Sequence, residues 1–260
     1  MPLKTFIVFL AVLILSGTAF AGRPLITDDT GTQGRGKYLL EFSGEYSIDN
    51  NEATDVKRKT FSTELDFGVT DNIDLILTAA YQGIRIDTPG NTDSSENVND
   101  TLIELKCRFY ENKNGLSFAI KPGIYFPTGD YTKGYGGGDV MYGTGEVRYR
   151  LYFIGTKEFK RAAFHLNLGY MRNEARFEAR KDLLHASIAG EWKITEKLKI
   201  AGNIGVDTSP DTDSNIDPVF VLGGFVYSFT DTISADFGIK HGLNAPGYDL
   251  TYSGGVSIRF

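Results

Sequence analysis

From residue 36 onward the chain alternates, one residue at a time, between apolar and polar side chains, and the polar positions carry ionised groups. The segment "DLTYSGGVSIRF" is representative. Leu250, Tyr252, Gly254, Val256, Ile258 and Phe260 share one face, and Thr251, Ser253, Gly255, Ser257 and Arg259 share the other. Successive strand side chains point to opposite sides, so each such stretch reads as a two-faced β-strand. About twelve of them recur, near 36–47, 57–69, 73–86, 100–111, 116–127, 144–155, 161–172, 181–194, 197–208, 218–229, 232–243 and 249–260.

The charged face decides what the strands enclose. It carries Glu41, Glu45, Glu64, Asp66, Glu104, Lys106, Arg108, Lys121, Arg148, Arg150, Glu191, Lys199, Asp236, Lys240 and Arg259. The apolar face carries almost no charge along its length, with His241 as a titratable exception within a strand. So many ionised groups cannot line a dry core, because unpaired buried charge is prohibitive. A closed sheet of about twelve strands is wide enough for water inside. The expectation is therefore an all-β, transmembrane, up-and-down antiparallel β-barrel of outer-membrane type, with about twelve strands, lipid on the apolar face and charges in the lumen.

The connections agree. Short turns at 70–72, 112–115, 156–159, 195–197 and 230–232 alternate with longer polar loops at 48–56, 87–99, 128–143, 173–180, 209–217 and 244–248. Tight turns and both strand-bearing ends then share one rim. Phe67, Phe153, Trp192, Tyr227, Phe229 and Phe260 fall near that rim, and Tyr46, Tyr81, Phe126 and Tyr170 near the other, the two aromatic girdles expected at membrane interfaces. Tyr252 and Phe260 end the chain on the lipid face, which resembles the signal by which the barrel-assembly machinery recognises outer-membrane proteins.

Before the strands, Met1–Ala21 has one early lysine, the run "FIVFLAVLIL" and the small-residue end "SGTAFA". This is the pattern of a secretory signal peptide, with the mature chain starting near Gly22, a lead-in over 22–35 and barrel strands over 36–260. A net charge of −6 gives no reason to expect a nucleic-acid partner, and the single cysteine, Cys107, excludes an intramolecular disulfide framework. Cys107 falls on the lipid face as a small apolar filler.

The stretch "RPLITDDTGTQGRGKYLLE" (Arg23 to Glu41) resembles the opening of a family of secreted bacterial proteins described as transporters or as the MetA pathway of phenol degradation, and "FPTGDYTKGYGGG" (Phe126 to Gly138) resembles that family's P-T-G-D segment. The resemblance implies an outer-membrane barrel loosely tied to passage of small aromatic or hydrophobic compounds. It carries over no catalytic residues.

Several motifs have two readings each. In the lead-in, Asp28 and Asp29, after Arg23, either form Asx-type turns into the first strand or act as a plug that binds Arg148, Arg150 or a divalent cation. The lumen charges separate into an acidic sector on strands one to three (Glu41, Glu45, Glu64, Asp66, Asp74) and a basic sector on strands four to six (Lys106, Arg108, Lys121, Arg148, Arg150, with Glu104 among them). They either set a transverse field that selects polar or anionic solutes or form ion pairs that largely fill the lumen. "DTDSNID" (Asp211 to Asp217) spaces oxygens like half a calcium loop but has Ile216 where glycine belongs, so an acidic loop is the expected reading. A lipid-modifying hydrolase needs a serine beside a base. His165 and His185 point into the lumen without a matched nucleophile, so no enzymatic activity and no cofactor are expected.

The expected function is passive uptake of small molecules, aromatic or hydrophobic compounds among them, across the bacterial outer membrane. A non-transporting structural barrel is the alternative. The expected partners are outer-membrane lipid, the assembly machinery and the solute. Arg108, Lys121, Arg148 and Arg150, facing the acidic sector, are the leading solute contacts.

Overall fold

In a computed structural model, the structure describes residues 23–50, 54–132, 142–244 and 247–260. The signal-peptide stretch and the glycine run that follows the P-T-G-D segment lie outside them. The described chain forms thirteen strands: β1 (Tyr38–Asn50), β2 (Asp55–Thr70), β3 (Ile73–Thr88), β4 (Asn91–Val98), β5 (Thr101–Glu111), β6 (Leu116–Phe126), β7 (Arg148–Glu158), β8 (Ala162–Arg172), β9 (Asp182–Lys193), β10 (Leu198–Asp207), β11 (Val219–Ser228), β12 (Ile233–Gly242) and β13 (Leu250–Arg259).

Each strand pairs antiparallel with its neighbour, and β1 closes the sheet by pairing with both β2 and β13. Closure removes the free edge that hydrocarbon cannot solvate. Twelve of the thirteen strands form the barrel wall; β4 pairs with β3 alone. The lower half of β3 (Ile73–Thr78) pairs with β5, and its upper half (Tyr81–Thr88) pairs with β4. Residues 87–99, expected as a loop, are thus largely a strand. No residue of "NTDSSENV" is buried and all but Val98 are polar, so no apolar alternation marks it. Gly90, at φ +84°, makes the turn.

The strands of the remaining wall are 10 to 12 residues long, whereas β1, β2 and β3 run 13, 16 and 16. One side of the barrel is therefore taller. The β7 strand lies three to four residues later than expected, so the turn read at 156–159 falls at 159–161, where Phe159 N–H donates to Ala162 O.

The faces sort as the alternation requires. Phe61, Phe164, Leu184, Ile188 and Trp192 are exposed, while Leu39, Glu41, Glu104, Lys106, Asn167 and Ser187 are buried. At the turn-side rim Tyr38 stacks between Phe67 (4.8 Å) and Phe260 (5.4 Å), and Phe118 stacks on Phe153 (5.6 Å). The closing seam is sealed by Tyr38 N–H to Phe260 O (2.8 Å) and Phe260 N–H to Tyr38 O (3.1 Å). Tyr252 faces outward on the same strand, paired with Tyr46.

Candidate functional site: the belted lumen

The lead-in does not stay at the rim. It enters the lumen and follows the inner wall, meeting the strands in nearly descending order. Arg23 approaches Glu41 on β1 (3.8 Å). Pro24 rests where Gly224 of β11 and Gly238 of β12 lack a Cβ. Leu25 packs in an apolar cluster with Ala189, Ala201 and Leu222. The N–H groups of Ile26 and Thr27 donate to Asn203 Oδ1 on β10 (2.9 and 3.1 Å), and Thr27 Oγ1 donates to Ser187 Oγ on β9 (2.6 Å). Asn167 on β8 makes a reciprocal pair with Asp28, accepting from its N–H and donating to its carbonyl, both at 2.8 Å.

The Asp28 carboxylate then bridges Lys106 of β5 (2.8 Å) and Lys121 of β6 (2.6 Å). Thr30 N–H donates to Thr156 Oγ1 on β7 (3.1 Å), and Gln33 N–H to Asp74 on β3 (2.9 Å). Gly34 and Gly36, at φ +87° and +74°, turn the chain out of the lumen, and Gly36 N–H donates to Gly68 O on β2 (2.7 Å). A side chain on Gly68 would overlap the Gly34 backbone. Residues 23–37 therefore form a belt around the inside of the barrel.

The two readings of the acidic pair divide between its members. Asp29 makes an Asx turn, its Oδ1 accepting from Gly31 N–H, and Asp28 makes the ionic contact. That contact is with Lys106 and Lys121, not with Arg148 or Arg150. Burial pushes the Asp28 carboxyl up, but Lys106 and Lys121 outweigh it and hold it well below the usual carboxylate range.

Of the two charge readings, ion pairs are what the described residues show. In the basic sector, Arg150 pairs with Glu104 (Nε to Oε1, 2.7 Å) and Arg148 with Asp100 (3.2 Å), so these cations are engaged locally and do not face the acidic sector. Arg108 sits at the turn-side rim, where its guanidinium donates to Asn72 Oδ1 (3.0 Å) and Asp71 O (3.1 Å). Across the lumen Glu41 accepts from Ser257 (2.6 Å) and Glu64 from Thr78 (2.8 Å). Glu45, Glu64, Asp66 and Lys240 line a cavity beside the belt, and Asp236 is buried on β12. Asp66 Oδ1 is buried without a hydrogen-bond partner.

Three cavities lie in series. An outer vestibule of about 540 Å³ and the belt cavity of about 240 Å³ share Glu64. The belt cavity and a turn-side cavity of about 460 Å³ share Gly31. The lumen is narrowed at the belt but not filled.

One expectation is overturned. His185 Nε2 lies 2.8 Å from Ser187 Oγ, and His185 Nδ1 lies 2.6 Å from Asp207 Oδ1. Residues two apart on a strand share a face, so the alternation itself supplies the serine–histidine contact. Ser187 is only 4% exposed, and its hydroxyl is engaged by Thr27. His165 bonds Thr156 (3.0 Å) and His241 faces outward toward Asp249 O (2.7 Å). Among the described residues no three His, Cys, Asp or Glu side chains converge as a metal site. In the 211–217 loop Asp211 accepts from Asp213 N–H and Asp217 from Ser209 N–H, which are turn contacts.

The sequence reading missed Asn167, Asn203, Ser187 and Thr156. Asparagine is depleted in strands, so an inward-facing asparagine on β8 and another on β10 were the available signals.

A family model described as "Putative MetA-pathway of phenol degradation" matches residues 27–260. Among solved structures, the COG4313 outer membrane channel from Pseudomonas putida F1 is similar at TM-score 0.74 and 13% identity, over 89% of this chain and 98% of that one. The NanC porin (TM-score 0.53, 12% identity, 84% and 98% covered) and the translocator domain of the autotransporter NalP from Neisseria meningitidis (0.51, 9%, 87% and 88%) share the barrel less closely. A search of curated proteins returns no match.

Proposed function

The chain belongs to the MetA-pathway of phenol degradation family, and from that premise we propose that it is an outer-membrane channel for passive passage of small molecules, aromatic and hydrophobic compounds among them. The observation that supports this reading is the row of three cavities, each sharing a lining residue with the next, inside a closed wall that is apolar outside and charged inside. A barrel with a purely structural role has no need of a water-accessible axis. The belt is the constriction, and Arg148, Arg150, Lys121 and Lys106 form the polar track leading to it. Planar-bilayer conductance and liposome swelling test the reading. Wild-type protein should give small channels, and deletion of residues 23–33 should enlarge them several-fold. No conductance from either form would overturn it.

The Ser187–His185–Asp207 contact favours a hydrolase as the second reading. Acyl transfer needs a nucleophile that substrate can reach. Ser187 lines none of the three cavities, and its oxygen already accepts a hydrogen bond from the belt. A fluorophosphonate probe should leave the folded protein unlabelled. Stoichiometric labelling that is lost in Ser187→Ala would favour the enzyme.

A further inference from the structure

The basic side of the lumen is built as a ladder. On β6 and β7 the inward residues stand in register, Tyr125 opposite Arg148, Gly123 opposite Arg150 and Lys121 opposite Tyr152. Cations and rings therefore alternate down the wall. Arg148 Cζ lies 4.4 Å from the Tyr125 ring centre, Arg150 Cζ lies 5.4 Å from both Tyr125 and Tyr152, and Lys121 Nζ lies 5.8 Å from Tyr152. The top opens into the outer vestibule, and the foot is the Lys106–Lys121 pair.

The rungs differ in who neutralises them. Glu104, which pairs with Arg150, belongs to β5 of the barrel wall, and Asp100, which pairs with Arg148, is held immediately before that strand. At the foot the hydrogen-bonded carboxylate is Asp28, on the belt, with Glu104 only at 3.7 Å from Lys121. A wall carboxylate cannot leave without disturbing a strand, but a belt carboxylate can be exchanged for a dissolved one. The cavity around that carboxylate is amphiphilic. Ile26, Ile76 and Leu222 line it alongside the two lysines, and so does Asp66, whose Oδ1 is buried against the wall without a hydrogen-bond partner.

We infer that the Lys106–Lys121 pair is the channel's solute site, that its ligand is an aromatic monocarboxylate carrying a hydroxyl, and that Asp28 is a tethered stand-in for the ligand's carboxylate. The carboxylate takes both ammonium groups, the ring lies against the aliphatic side chains, and the hydroxyl donates to Asp66. A second carboxylate in place of the hydroxyl meets Asp66 and the neighbouring Glu64 and Glu41, and is rejected. Arrival of the ligand frees the Asp28 section of the belt, so binding and widening are one event.

This inference rests on the channel reading, and its test is kept separate from conductance. Isothermal titration of the detergent-purified full chain with 4-hydroxybenzoate should show saturable binding, weaker for benzoate and absent for terephthalate and benzyl alcohol. Asp28→Asn, which removes the tethered competitor but keeps its shape, should bind 4-hydroxybenzoate at least ten-fold more tightly. Lys121→Gln should lose binding. Unchanged affinity in Asp28→Asn, or equal binding of benzyl alcohol, would overturn the inference. If the wild type conducts potassium chloride but binds none of these probes, the inference fails and the channel reading stands. If no form conducts while 4-hydroxybenzoate binds as described, the site stands and the channel reading fails.

Discussion

Asp28 shows how a single carboxylate can join a strap to a wall. Its docked form has a lowered pKa, so its contribution is fully present above the ordinary carboxyl value of 3.8 and is lost as pH falls through the lower, docked value. Single-channel conductance should accordingly stay flat from neutral pH down to about pH 4 and rise only below it; a rise near pH 6 would point to another group. Asp28→Ala leaves Lys106 and Lys121 without their belt counter-charge, a loss of about 3–5 kcal/mol in belt docking by the general cost of breaking a buried pair. Limited proteolysis should then cut residues 23–33 in the folded barrel, where the wild-type belt resists. The sequence marked Asp28 as polar and turn-prone but not its partners, because both lysines lie more than seventy residues away and reach it only through strand register.

At the scale of elements, the barrel strands were legible because lipid and water impose opposite chemistry on alternate residues. The belt was legible only as one of two readings of Asp28 and Asp29, since residues that bond to a polar inner wall look like those that bond to water. The β4 strand escaped for a related reason: neither of its faces is buried, so nothing selects apolar residues at alternate positions. Because β4 contacts only the upper half of β3, replacing residues 89–99 by a short turn should leave membrane insertion and heat-modifiable mobility on gels unchanged. Loss of the folded band would show that β4 nucleates the wall. Gly68→Val acts differently. It collides with the Gly34 bend, so the barrel should still form while conductance rises toward that of the belt deletion.

For the whole molecule, the single tryptophan offers a direct check of orientation. Trp192 is 53% exposed on the outer face, paired with Ile200 near the turn-side rim. Its emission should be blue-shifted in liposomes and quenched most by lipids brominated near the headgroup. Emission typical of water would place the charged face outward and overturn the architecture. Deleting Phe260 removes one ring of the Tyr38 stack and the carbonyl that Tyr38 N–H donates to, so membrane levels should fall more than the melting point of the protein that does insert.

The belt also keeps count. Its successive residues reach partners on β1, then on β12 and β11, and on downward to β3, so one span of chain is matched to one circumference. A wall with a strand too many would leave the belt short, and one with a strand too few would leave it slack. Arg23 meets β1 and Pro24 meets β11 and β12, on the two sides of the β1–β13 seam, so the complete set of belt contacts requires that seam to be closed. The lead-in thus acts as an inspector of finished barrels, and resistance of residues 23–33 to protease should appear during assembly only after the seam has closed.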